Sequence, residues 1–104
     1  MANKPITCRT PTPGKQPTRI EAWKFNLVRE AILKVTPAEG QGIEFRRLAG
    51  LVEASLAPDE LKRLGSVGWY TTTVKLELEV RGELERLPGA GPQRLRRVIG
   101  LENR

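Results

Sequence analysis

The chain has 104 residues, enough for one domain around one core, and its 38% hydrophobic and 29% charged residues are ordinary for a soluble globular protein. No apolar run approaches the roughly 18 residues of a membrane span, no signal peptide is visible, and histidine is absent, so the cytoplasm is the expected compartment. Cys8 is the single cysteine, which excludes an internal disulfide and a Cys-rich metal site, while a net charge of +6 invites polyanionic partners or serves solubility.

Residues 1–17 carry Pro5, Pro11, Pro13 and Pro17, which exclude a helix. They read either as a disordered basic arm or as an irregular hairpin returning through Pro13-Gly14. Thr18 and Glu21 are spaced as a capping box, and an apolar stripe of Ile20, Trp23, Leu27, Ala31 and Val35 follows, widened by Val28 and Ile32, until Pro37 stops the helix. Trp23 matches that stripe and is expected in the core. Residues 38–42 form a loop. Ile43 is expected as a brief first strand pairing with the C-terminal hairpin, and Phe45, Leu48, Ala49, Val52 and Leu56 mark a second helix over 44–56. Pro58, Asp59 and Glu60 open a short extra helix that Gly65 ends.

The stretch 66–81 has two readings. Val74, Leu76, Leu78 and Val80 alternate with charged residues like a strand, but Ser66 suits an N-cap and Gly82 the position just past a helix end. Wrapped as a helix, it puts Val67, Tyr70, Val74 and Leu78 on one buried stripe and Trp69, Leu76 and Val80 on a second. Gly68, Thr71, Thr72, Lys75 and Glu79 then form the exposed polar arc of a helix wedged between neighbours. Two short strands, 83–87 and 93–99, follow, joined by the Gly- and Pro-rich tip 88–92, and residues 101–104 read as a frayed tail.

The run LELEVRGELER, then PGAGP and QRLRRVIG, resembles the end of a winged helix-turn-helix domain, where a recognition helix closes at a glycine and a hairpin wing follows. From about Pro5 to Gly100 the SVGWY helix start, VKLELEVRG helix end and PQRLRR tail resemble a family of small bacterial winged-helix proteins without an established function. The resemblance implies an α+β, mostly α fold over 18–100, with three main helices, a short extra helix and a C-terminal β-hairpin wing.

Catalysis is poorly supplied: no histidine, no carboxylates at acid/base spacing, and a PGAGP turn that lacks the Lys-Ser/Thr of a phosphate loop. No enzyme activity, cofactor, metal or membrane partner is expected, and Glu77 and Glu79 read as members of solvated ion pairs. The sharpest expectation is a regulatory protein binding double-stranded DNA. Thr71, Thr72 and Lys75 would reach bases or phosphates, and Arg86, Arg94, Arg96 and Arg97 on the wing would hold the backbone. Glu79 on the same arc repels phosphate, and the helix is neutral overall. The alternative is a protein-interaction or dimerisation module, a homodimer or a complex with another protein, using Gly68, Trp69 and Tyr70. Convergence of Arg94, Arg96, Lys75 and Thr71 on one surface favours DNA; scatter disfavours it.

Overall fold

A computed structural model of the chain describes residues 4–99 and shows an α+β fold of four helices and two small antiparallel sheets. The tail expected over 101–104 lies outside the described residues. The chain opens with β1 (Ile6–Cys8) and β2 (Thr18–Ile20), paired so that Ile6 faces Ile20 and Cys8 faces Thr18. Pro11, Pro13 and Pro17 all fall in the connection, where no ladder hydrogen bond is required of them. Cys8 and Ile20 are buried, so the hairpin is fastened into the core.

Thr18 therefore belongs to a strand and does not cap the first helix, α1 (Ala22–Val35), whose N-cap Glu21 makes no side-chain capping bond. The inward stripe of α1 is Phe25, Val28, Ala31 and Ile32. Trp23, expected in the core, is 37% exposed. Two aromatic residues two positions apart point about 160° away from one another on a helix, so only one can face inward. Phe25 has no polar atom to satisfy and takes the core, beneath the Arg81 guanidinium at 4.7 Å. Trp23 stays outside, with the Arg63 guanidinium 4.9 Å from its ring centroid.

After the loop, β3 (Ile43–Glu44) leads directly into α2 (Phe45–Ser55), which buries Leu48 and Val52. Gly42 makes this entry feasible. Its φ is +63°, and a Cβ there would collide with the carbonyl oxygen of Leu95 on the neighbouring strand. The short α3 (Pro58–Leu64) begins at a proline, and Glu60 turns back to accept from the Ala57 amide at 2.8 Å.

The segment with two readings is a helix, α4 (Val67–Arg81). The Ser66 side chain accepts from the Trp69 amide at 3.2 Å, and Gly82 closes the helix in the left-handed conformation. β4 (Leu84–Arg86) and β5 (Arg94–Arg97) follow, and the second sheet has the order β3-β5-β4, with Ile43 opposite Leu95 and Leu84 opposite Arg97. Phe25, Val28, Ile32, Leu48, Val52, Leu64, Val74, Leu78, Leu84 and Leu95 make one continuous core in which α1, α2 and α4 meet.

Candidate interaction surface on α4

The buried side of α4 is more polar than its sequence suggests. Val74 and Leu78 enter the core as expected, but Thr71, Lys75 and Glu77 are buried beside them, each at 2% exposure or less. Thr71 and Lys75 were expected on the exposed arc of a DNA-reading helix, and this placement corrects that expectation. The Lys75 ammonium sits on the Glu79 carboxylate and lies 4.6 Å from the Phe45 ring centroid, so the start of α2 covers it. Burial pulls the Lys75 pKa down and Glu79 pulls it back up, with a net lowering. Among the described residues the buried Thr71 hydroxyl has no hydrogen-bond partner.

Glu77 corrects a second expectation, that its carboxylate is solvated. It is 1% exposed and receives four bonds. The Arg9 amide and Nε donate to Oε1 at 2.8 and 3.0 Å, while Arg9 Nη2 and Arg81 Nε donate to Oε2 at 2.7 and 2.8 Å. Burial pushes this carboxyl up, but the bonds from Arg9 and Arg81 and the Arg9 charge outweigh it and hold the pKa at about 2. Glu77 thus clamps the N-terminal hairpin onto α4. Next to it the Cys8 thiol is pushed up to about 11, by burial first and then by the Glu77 charge.

With Lys75 and Glu77 buried, Glu79 partly buried and the exposed Arg81 bonded to Glu77, the arc of α4 centred on Trp69 and Val80 is uncharged. It consists of Trp69, 48% exposed, Thr72, the partly covered Thr73 and Leu76, and Val80, 36% exposed. Of Trp69, Leu76 and Val80, expected as a second buried stripe, Trp69 and Val80 are therefore exposed and Leu76 is only partly covered. The reason is competition for the core: Lys75, Glu77 and Glu79 find countercharges in Phe45-covered or hairpin-covered positions, leaving the second apolar stripe only the edge of the N-terminal hairpin beside Leu76. Tyr70 is partly buried, its ring edge-on to Trp69 at 4.9 Å, and its hydroxyl meets Lys24 Nζ at 3.2 Å. Gly68 is exposed at the start of this arc.

The wing arginines scatter. Arg86 shares a sheet face with Leu95 and reaches Glu79 at 3.4 Å. Arg94 and Arg96 occupy the other face, where Arg94 lies 3.6 Å from Glu44 and Arg96 Nε donates to Glu85 at 2.9 Å. Arg96 Nη1 also donates to the Gly40 carbonyl at 3.0 Å, and Arg97 Nε donates to the Thr36 carbonyl at 3.2 Å. Of the residues expected to bind DNA, only Thr72 stands free on α4, and the four arginines lie on two faces of the sheet. Arg86 meets Lys75 at the shared Glu79 carboxylate, whereas Arg94 and Arg96, on the opposite face, pair with Glu44 and Glu85.

Two clefts flank these features. One of about 550 Å³ lies between α1 and the end of the sheet, walled by the 2.7 Å Arg29–Glu83 ion pair and by Leu33, Lys34, Arg97 and Val98. Another of about 300 Å³ lies between the N-terminal hairpin and α4, lined by Arg9, Lys15, Thr73 and Leu76 among others. Among the described residues no helix is long and apolar enough to cross a membrane, and no three His, Cys, Asp or Glu side chains gather as a metal site.

The chain belongs to a family of unknown function, DUF6958, whose model matches residues 5–95. No curated protein and no solved structure is significantly similar to it.

Proposed function

We propose that this chain is a winged-helix module that binds another protein through the outward arc of α4. Support for the winged-helix arrangement comes from the order helix, strand, two helices, long helix and hairpin, and from the β3-β5-β4 sheet that ties the hairpin to the strand after α1. One observation carries the protein-binding reading: in a chain with 29% charged residues, the arc of α4 that runs from Trp69 through Thr72, Thr73 and Leu76 to Val80 carries none, the exposed Arg81 standing about 120° round the helix from Trp69. A groove-reading helix needs donors and cations there, whereas Trp69, Leu76 and Val80 offer an apolar centre of the kind that is desolvated in protein interfaces. Duplex DNA is the weaker reading because Lys75 is buried and Arg86, Arg94 and Arg96 already face carboxylates. The setting remains the cytoplasm expected from the sequence.

The test is photo-cross-linking in the cells that make the protein, with a photoreactive residue placed at position 72 or 76 and, as controls, at 34 or 62. Adducts of defined mass from 72 and 76 but not from the controls are expected. No protein adduct from either α4 position would remove the reading.

A further inference from the structure

The same surface also specifies the chemistry of its partner, on the premise that α4 is the docking face proposed above. We propose that the segment received there is an acidic amphipathic helix, its apolar edge along Trp69, Thr73, Leu76 and Val80 and its carboxylates on the Lys15 and Arg9 side of the groove.

Spacing points to a helix. The outward residues 69, 73, 76 and 80 recur at intervals of four, three and four, the period at which side chains of one helix fit between those of another at a shallow crossing angle. Large and small residues alternate along the seam, leaving room for knobs beside Thr73 and Val80. An extended strand would instead ask for a free row of backbone donors, which a helix face does not offer.

Charge points to an acidic flank. The hairpin rises beside Thr73 and Leu76, and the cleft between them carries Arg9 and Lys15 with no acidic side chain in its lining. Among the described residues Lys15 has no carboxylate within ion-pair distance. Arg9, half-exposed, shares the Glu77 carboxylate with Arg81, so that cluster is left positive. Hydroxyls of Thr10, Thr12 and Thr18 in the same lining add neutral donors. A second copy of the chain fits less well. Two α4 helices paired antiparallel about a two-fold axis set like flanks together, so each Lys15 side would meet its own copy. Phosphate backbone would find the cations but would have to desolvate an apolar seam for nothing in return.

The probes are two synthetic helical peptides with the same leucine seam, one with glutamates and one with lysines along the flank, titrated with the full chain by fluorescence anisotropy. The acidic peptide is expected to bind at least about 10-fold tighter at low salt, with the advantage shrinking as screening rises. Lys15→Glu, on an exposed turn, should narrow that preference severalfold, and Leu76→Glu should abolish binding of the acidic peptide while circular dichroism confirms the fold. Equal affinity for the two peptides, no effect of Lys15→Glu, or sedimentation showing a dimer dissolved by Leu76→Glu would each overturn the inference. If neither peptide binds while positions 72 and 76 still cross-link to protein, only the acidic helix falls. If they give no adduct either, the docking face falls with it.

Discussion

Replacing Glu77 by glutamine should detach the N-terminal hairpin from α4. The buried carboxylate accepts four bonds from Arg9 and Arg81, and the amide of glutamine keeps one acceptor oxygen while pointing two donors at donors. Its pKa of about 2, against an ordinary 4.5, corresponds to about 3 kcal/mol of stabilisation, trimmed toward 2 because Arg9 is half in solvent. Since the folded value is the lower one, this stabilisation is complete above pH 4.5 and is lost as the pH falls through 2. Urea unfolding of wild type and Glu77→Gln, followed from pH 7 down to pH 2.5, reads it directly. The wild type should be more stable by about 2 to 3 kcal/mol at pH 7, with the gap closing below pH 4.5, where the unfolded wild type takes up a proton at Glu77 that the folded protein binds only near pH 2. Amide exchange at Arg9 should accelerate in the variant. A gap below about 1 kcal/mol at pH 7, or one that does not change with pH, would refute the clamp.

Further outcomes follow from the same packing. Lys75→Met should cost about 3 kcal/mol or more in thermal unfolding, because it removes one partner of a buried ion pair and leaves the Glu79 carboxylate with only Arg86, at 3.4 Å, to answer it. Unchanged or higher stability would mean that the Lys75–Glu79 pair does not hold the fold. Phe25→Ala should cost about 3 to 5 kcal/mol, and Trp23→Ala about 1 kcal/mol or less, as denaturant midpoints will show. The Cys8 thiol, with a pKa of about 11 and 3% exposure, should ignore a thiol reagent at pH 8 until denaturant is added. Rapid labelling of the folded protein would contradict its burial.

The elements were legible because their ends are written in local chemistry. Ser66 and Gly82 bracket α4, Pro58 opens α3, and the Gly- and Pro-rich stretch 88–92 separates β4 from β5. The pairing of Ile43 with the hairpin strand was visible in its isolated apolar residue. Faces were harder. In α4 two apolar stripes flank the helix, and periodicity cannot say which of them finds a neighbour. The deciding partners are distant in sequence: Arg9 for Glu77, 68 residues away, and Phe45 for Lys75. Once those charges are neutralised inside, the interval of four, three and four from Trp69 to Val80 becomes the outer surface, although its spacing was on view from the start. The capping-box pattern at Thr18 misled for a related reason, since Thr18 pairs with Cys8 in a strand that only the tertiary fold creates. Trp23 and Phe25 compete for one direction, and the loser is decided by which ring can be buried without an unsatisfied N–H.

On the proposed function the exposed face of α4 meets protein and not nucleic acid. The most direct measurement is fluorescence anisotropy of random-sequence duplex DNA titrated with the purified chain across a salt series, for wild type, Thr72→Ala and the pair Arg94→Ala with Arg96→Ala. Affinity no tighter than about 1 µM at 0.15 M salt is expected, of the non-specific kind that a +6 chain shows, and unchanged in Thr72→Ala. Tighter binding that Thr72→Ala abolishes, with a salt slope reduced by the arginine pair, would put the groove against α4 and contradict it.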